Sequence, residues 1–237
     1  MNILALDTAT EACSAALYVD GEITAHYQLA PREHSRLILK IIEQLLADAE
    51  LSVGKLDAIA FGRGPGSFMG LRIAAGVVQG IAFAHDIPVI PISTLKTMAH
   101  RAYEQSNNTN VLVAIDARMD EVYWGAYYLD DVETLQWKVD GEECVISPDK
   151  IVLPDRLSSQ NKTWVAAGTG WASYSERLLA GGSLILQATL PECFPSAEVM
   201  VKLAAVELQA GNTIAPAEAI PVYLRNDVAK KPKPVVF

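Results

Sequence analysis

The two halves of the sequence begin alike, and this repetition constrains the fold more than any other feature. The segment LALDTATEACSAALYVDGE, from Leu4, has a weak echo in VAIDARMDEVYWGAYYLDDVE, from Val113, once one residue is inserted. Each copy opens with an apolar strand that ends in an aspartate, Asp7 or Asp116, followed by a polar turn and another apolar strand. A repeat at this long period indicates two duplicated lobes rather than a solenoid of short repeats.

The pattern of the first half predicts an α/β lobe with a mixed sheet and flanking helices, in the order βββαβαβα. The predicted strands lie near 2–6, 13–19, 22–29 and 56–61 and in IPVIPIS, and the predicted helices run over about 32–48, 68–85 and 93–105. Ser93 is placed to cap the last of these helices. The second half repeats the three opening strands and is then abbreviated, with a strand-turn TWVAAGTGW, a capped helix near 196–210 and a terminal PVYLRNDVA segment. The polar run NNTN divides the chain into lobes 1–107 and 108–237.

The composition restricts the partners of this chain. The formal net charge of -9 and the pI near 4.9 argue against direct binding to a nucleic-acid backbone, so any nucleic-acid contact would fall to a basic partner. The basic cluster in the sequence is Lys230, Lys231 and Lys233, in a proline-broken tail. Three distant cysteines suit a reducing compartment, and the start reads as a strand rather than a signal peptide. We therefore expect a cytoplasmic protein without a membrane role.

The glycine-rich stretch FGRGPGSFMGLRIAAG, residues 61–76, resembles a phosphate-binding loop that runs into a helix. It lacks the lysine that a GxxxxGK[ST] loop requires, although Ser67 is placed to cap the helix. Arg72 lies in the first turns, where a cation opposes the helix dipole, and this predicts an anionic partner. A carboxylate of this chain or of a partner chain is favoured over a phosphate.

Two helices carry more apolar surface than one covered side requires. The second predicted helix is apolar nearly all round, and its glycines and alanines form rows that allow another helix to approach closely. The first has an apolar arc of roughly 200°, against the roughly 100° of an ordinary surface helix. Burial inside one domain is the alternative, but we favour an interface with another chain. The predicted contact residues are His34, Leu37, Ile38, Ile41, Ile42, Leu45, Met69, Arg72, Ile73, Gly76, Val77 and Gly80.

Nucleotide, metal and nucleophile sites have weaker support. Aspartates that end the first strand of duplicated lobes are typical of sugar-kinase and actin-like proteins, but the turns after Asp7 and Asp116 contain no glycine for a phosphate. Gly168 could face an adenine or shape a turn. We expect a weak ATP or ADP contact at most, with Asp7, Thr8, Arg72, Asp116 and Gly168 as its candidate residues. The histidines and cysteines lack metal-ligand spacing, so no metal and no cofactor are expected.

Five segments then carry a family resemblance over nearly the whole chain. The segments MNILALDTAT, PREHSRLI, GRGPGSFMGLRIAAGVVQGIA, PVIPISTL and PVYLR resemble the bacterial TsaB (YeaZ) family in order and spacing. Met69 stands where that family usually has threonine, which removes one hydroxyl. The resemblance implies the two-lobed actin-like (ASKHA, ribonuclease H-like) fold and a part in forming N6-threonylcarbamoyladenosine at position 37 of tRNAs that read codons beginning with A.

The resemblance also implies a non-catalytic subunit and its partners. Members of the family bind the catalytic subunit TsaD through their two N-terminal helices, are joined by the ATPase TsaE, and form homodimers through the same surface. TsaD has an HxxxH metal pair, and Thr94 and Met98 occupy the matching positions here, where they are poor substitutes for two imidazoles. The alternative that stays open is a stand-alone enzyme: an actin-like-fold ATPase or acyl transferase, or a metallopeptidase-like protein.

Overall fold

The computed structural model describes residues 1–153, 163–180 and 185–225 of the chain. The ten strands in this part are β1 Asn2–Asp7, β2 Ala12–Val19, β3 Glu22–Leu29, β4 Ala58–Gly64, β5 Val89–Ser93, β6 Asn110–Asp116, β7 Val122–Asp131, β8 Gln136–Ile146, β9 Trp164–Ala167 and β10 Leu186–Leu190. The α-helices there are α1 His34–Asp48, α2 Phe68–His85, α3 Thr94–Ser106, α4 Thr169–Leu179 and α5 Ala197–Gln209.

The ten strands form two five-stranded sheets with the same topology. Their orders are β3-β2-β1-β4-β5 and β8-β7-β6-β9-β10, so each strand of one lobe has a counterpart in the other. In both sheets the first two hairpins are antiparallel, and the later strands run parallel to the opening strand. The duplicated α/β fold predicted from the repeated strand-aspartate segments is thereby confirmed.

Local sequence signals account for the helix starts. The hydroxyl of Ser67 accepts a hydrogen bond from the backbone N–H of Gly70 at 3.4 Å, and Ser93 does the same for Lys96 at 3.2 Å. Both caps were expected from the sequence. The second predicted helix has the bounds of α2, whereas α1 begins at His34, two residues after the predicted start.

The largest core cluster lies between the two sheets, where α3 and α5 form a middle layer. Helix α5 crosses the inner face of the first sheet, and α3 packs chiefly against the second. Each sheet is therefore covered on its inner side by a helix from the other half of the sequence. The two sheets fall on either side of residue 107, and the boundary there stays a prediction.

The outer faces of the sheets are covered by the remaining helices. Helices α1 and α2 enclose a second core cluster with the first sheet, and α4 encloses a third with the second sheet. Trp164 and Trp171, among the largest fully buried side chains, fill this third cluster. In the described part of the chain, α2 is also the one helix long and apolar enough to cross a membrane, with a mean hydropathy of 1.3 over 18 residues.

Candidate functional site

One side of α2 is uncovered, and it carries the predicted contact residues of that helix. Met69, Arg72, Gly76 and Gly80 are exposed, while Ile73 and Val77 are half-buried; we call these six residues the α2 face. A Cβ atom added to Gly76 or Gly80 would have no atom within 4 Å. Phe83, 78% exposed, extends the same side and was not among the predicted residues. The result is an apolar, nearly flat helix surface open to solvent.

The opposite side of α2 packs against the turn between β1 and β2. A Cβ atom on Gly70 would overlap the carbonyl of Thr8, and one on Gly66 would overlap the carbonyl of Ala9. The Ser67 N–H donates to the Ala9 carbonyl at 2.7 Å. The glycines at the start of α2 therefore serve a close contact between two backbone segments within the chain.

The apolar side of α1 is largely covered within this chain, in contrast to the prediction made from the width of its apolar arc. His34, Ile38, Ile41, Ile42 and Leu45 are all buried within this chain. The predicted surplus was wrong for them, because α1 lies against both the sheet and α2 and so covers a wide arc internally. Leu37 is half-buried and the unpredicted Leu39 is 54% exposed, so these two leucines are what α1 offers to solvent on its apolar side.

His34 is buried at the start of α1 and contacts a neighbouring strand. Its Nε2 lies 3.2 Å from the carbonyl oxygen of Ala12, so the imidazole connects α1 to β2.

A cleft of about 1310 Å³ lies between the lobes, at the carboxyl ends of β1 and β6. Of the five candidate nucleotide or anion residues, Arg72 and Asp116 line it, one from each lobe. The exposed side chains of Arg118, Phe68 and Met69 also border this space. The cleft therefore begins beside the α2 face and continues toward the second lobe.

Asp7 and Thr8 lie beneath the cleft and are fully buried. The Thr8 hydroxyl donates to the Gly70 carbonyl at 2.6 Å, and Asp7 Oδ1 accepts from the Ala9 N–H at 2.9 Å. Asp7 Oδ2 has no hydrogen-bond partner among the described residues and points at Gly62. Burial raises the pKa of Asp7 to about 7, opposed by the hydrogen bond from Ala9. This carboxyl group is part of the interior.

Asp116, the counterpart of Asp7, faces the cleft and is held by its own turn. Its carboxylate accepts from the Arg118 N–H at 2.8 Å and pairs with the Arg118 guanidinium at 3.2 Å. Gly168, at φ +102°, packs so closely on Ala114 that a Cβ atom would lie 2.5 Å from its carbonyl oxygen. Gly168 therefore shapes the turn before α4, and its expected contact with an adenine stays a prediction.

Arg72 has aromatic neighbours instead of the anionic partner that was favoured. Its guanidinium lies 3.9 Å from the ring centre of Phe68, and its Nε donates to the Tyr223 hydroxyl at 3.1 Å. Over residues 1–153, 163–180 and 185–225, no carboxylate lies within ion-pair distance of Arg72, so the expectation of an internal carboxylate is wrong there. The phenol of Tyr223 accepts one hydrogen bond from this side chain.

The positions aligned with the HxxxH metal pair lie in the middle core layer. Thr94 and Met98 are buried on α3, and the Met98 methyl group packs near Gly168. Within the described ranges, no three histidine, cysteine, aspartate or glutamate side chains are grouped as a metal site. The predicted lysine cluster at 230–233 lies outside the described residues.

Comparison with known proteins identifies the family. The family described as TsaD, tRNA N6-adenosine threonylcarbamoyltransferase, matches residues 22–233. The tRNA threonylcarbamoyladenosine biosynthesis protein TsaB of Escherichia coli (strain K12) is 42% identical over 99% of both chains. The TsaB protein of Haemophilus influenzae is 44% identical over 99% of this chain and 98% of its own.

The solved structures agree with these relatives. YeaZ from Pseudomonas aeruginosa is 42% identical and superposes with a TM-score of 0.86, covering 94% of this chain and 99% of its own. A second structure from that organism, described as similar to peptidase YEAZ, gives a TM-score of 0.87 at the same identity and coverage. With full-length relatives and a shared two-lobed fold, this chain belongs to the TsaB (YeaZ) family of tRNA threonylcarbamoyladenosine biosynthesis proteins.

Proposed function

We propose that this chain is a non-catalytic subunit for N6-threonylcarbamoyladenosine formation at position 37 of tRNAs that read codons beginning with A. It binds and activates a TsaD-like transferase, and a TsaE-like ATPase joins the pair. The observation that carries the proposal is the uncovered α2 face, with its exposed Met69 and its two open glycines. This role requires no transferase activity of the chain itself.

The shape of the α2 face suits a helix of another chain. Gly76 and Gly80 are four residues apart and form a low row on one side of α2, next to the row of the half-buried Ile73 and Val77. Ridges of a second helix fit the grooves between such rows, and interhelical distances are shortest where the contact residues are small. The same face also allows a homodimer, and a second copy would then compete with the transferase for it.

The charge and the interior agree with a supporting role. A chain of net charge -9 leaves tRNA binding to its partner, since a phosphate backbone requires cationic contacts. The buried Asp7 and Thr8 cannot reach a nucleotide in the cleft without rearrangement of the turn that α2 covers. We therefore propose that no cofactor is required and that ATP or ADP makes a weak contact at Arg72 and Asp116. The proposed location is the cytoplasm, with no membrane partner.

The first test is genetic and measures the modified nucleoside. Depletion of this chain should lower the level of N6-threonylcarbamoyladenosine in bulk tRNA, quantified by mass spectrometry after nuclease digestion. Re-expression of the unaltered chain should restore it. Normal levels after depletion would refute the proposed pathway role.

The second test addresses the α2 face. Gly80→Glu places a charge on this face at a position where a Cβ atom has no atom within 4 Å, so the protein should fold normally and lose co-purification with the TsaD-like subunit. Ala172→Glu, on the exposed side of α4, is the matched control, since it adds the same charge to another exposed helix position. Equal binding by both variants would place the interface elsewhere.

Nucleotide binding separates this proposal from a stand-alone enzyme. Isothermal titration of the isolated chain with ATP and magnesium should show weak binding and no turnover. Tight binding with hydrolysis would support the actin-like ATPase alternative.

A further inference from the structure

The C-terminal part of the described chain crosses between the two lobes. We call residues 222–225 the strap. On the first lobe, the Val222 N–H donates to the Arg63 carbonyl at 2.7 Å, beside Gly64 at the end of β4. On the second lobe, Arg225 donates to the Ala117 carbonyl at 3.0 Å and pairs with Glu121 at 2.5 Å. Four residues thus connect the ends of both sheets.

The strap also touches the start of α2. Tyr223 accepts a hydrogen bond from Arg72 at 3.1 Å, and its ring lies 5.4 Å from that of Phe68. These contacts hold the Arg72 side chain over the Phe68 ring, at the cleft end of the α2 face. A change in the strap would therefore reach residues at the edge of this face.

Arg225 binds a turn whose backbone is unusual. Arg118, Met119 and Asp120 are three consecutive left-handed residues, with φ of 62°, 56° and 63°, and none is glycine. Such residues cost free energy and persist where surrounding contacts fix them. Arg225 supplies these contacts from the strap, while Arg177 supplies others from α4 by pairing with Asp120 at 2.5 Å.

The strap also divides the space between the lobes. Val222 and Leu224 line both the cleft of about 1310 Å³ and a second hollow of about 600 Å³. The second hollow contains Glu143 of the second lobe, which accepts hydrogen bonds from Ser93 of the first lobe and from Tyr127 of its own lobe. The strap therefore lies between the cleft and the second hollow and borders both.

From these contacts we infer that the strap is a clamp between the lobes, with Arg225 as its positioning residue. Its anchors on Arg63 and on the left-handed turn set the width of the cleft, and Tyr223 transmits that setting to the start of α2. The inference concerns the isolated chain and does not depend on the proposed function. It assigns a mechanical role to the PVYLR segment.

Hydrogen exchange of the isolated full-length chain, followed by mass spectrometry, tests the clamp. Arg225→Ala should raise exchange by at least about tenfold at residues 117–121 and also at residues 63–72 on the other lobe, because hydrogen bonds to a charged group are lost. Arg177→Ala is the matched control: it frees the same turn without touching the strap, so exchange should rise near residue 120 and stay unchanged at 63–72.

A purely local role for Arg225 would give a different result. If Arg225→Ala raises exchange only at 117–121, as Arg177→Ala does, the clamp is refuted. Arg225→Lys, which keeps the charge but loses the forked geometry, covers the case in which the alanine variant does not fold, and it should give a smaller rise on both lobes. Unchanged exchange at 63–72 in the folded lysine variant would equally overturn the inference.

Gly80→Glu separates the clamp from the proposed function. It should leave exchange at 63–72 and 117–121 unchanged while it abolishes partner binding. Failure of the clamp would thus be seen only in hydrogen exchange of the Arg225 variants. Failure of the proposed interface would be seen only in partner binding by Gly80→Glu.

Discussion

Helices α1 and α2 lie side by side on the same sheet, and their sequences suggested the same role, yet they expose different surfaces. Ile38 of α1 is fully buried, as is Ala74 of α2. On the far side, however, α1 presents charged and polar residues around Leu39, whereas α2 presents glycines, Met69 and Phe83. The width of an apolar arc therefore does not distinguish a helix that is covered within its own chain from one that has an uncovered apolar side.

What differs is the size of the side chains along the uncovered side. A long apolar side chain usually finds a neighbour within its own chain, whereas a glycine in mid-helix has no side chain to bury and lowers helix stability. Gly76 and Gly80 impose this cost on α2 with no internal contact in return. Such positions are the stronger indication of an external contact.

The largest effect should come from the buried side of α1. Ile38→Asp places a carboxylate in the core and should lower the free energy of unfolding by more than about 4 kcal/mol. The neighbouring Leu39→Asp should change it by less than about 1 kcal/mol, since that residue faces solvent. Urea unfolding followed by circular dichroism measures both. Similar losses in the two variants would contradict the burial of α1.

The second effect concerns the carboxyl group under α2 and depends on pH. Because the pKa of Asp7 is raised to about 7 in the fold, its contribution to stability is full below about pH 4 and is lost as the pH rises through 7. Each pH unit in this window corresponds to about 1.4 kcal/mol, so Asp7→Asn should remove up to about 4 kcal/mol of pH dependence. Urea unfolding between pH 4 and 8 tests this, with Asp116→Asn as control. If the free energy of unfolding of Asp7→Asn changes with pH as it does in the unaltered chain, Asp7 is not the cause of that dependence.

A glycine on the covered side of α2 should tolerate no side chain. Gly70→Ala forces a methyl group against the Thr8 carbonyl and should lower the free energy of unfolding by about 1–3 kcal/mol. Thermal unfolding of the isolated chain measures the loss. A stability equal to that of the unaltered chain would mean that the turn after β1 can move away from α2 at little cost.

The smallest effect has the opposite sign. Gly80→Ala lies on the open side of the same helix and should raise the stability of the isolated chain by about 1 kcal/mol, through helix propensity and a less flexible unfolded state. It should nevertheless weaken binding to the partner if a helix approaches closely there. Stabilisation with unchanged affinity would confirm the exposure of Gly80 and argue against a close helix contact at this residue.

The sequence predicted the elements of the fold well because their signals are local. The repeated strand-aspartate pattern indicated two equivalent sheets, and Ser67 and Ser93 indicated where α2 and α3 begin. The predicted contact residues of α2 are exposed or half-buried on one side of the helix, and their contact with a partner stays a prediction. These features depend on periodicity and capping, and both can be recognised within one segment of the sequence.

The errors concern contacts between segments that are distant in sequence. Nothing near Arg72 indicates that the hydroxyl of Tyr223, 151 residues later, accepts a hydrogen bond from its guanidinium. Likewise, the neighbours of Ile38 on the sheet and on α2 cannot be inferred from the pattern of α1 alone. The resemblance of PVYLR to a family motif marked the strap, but its physical role depends on two lobes meeting in space.

The exchange of α3 and α5 between the sheets has a consequence for how the chain reaches its native state. The first sheet cannot complete its inner side until residues 197–209 have been synthesised, although its last strand ends at residue 93. During synthesis on the ribosome, the inner face of the first sheet would therefore stay exposed until residues 197–209 have emerged. Although the lobes are duplicated, each needs a helix from the other half of the sequence to complete its core. We therefore expect them to unfold in a single cooperative transition.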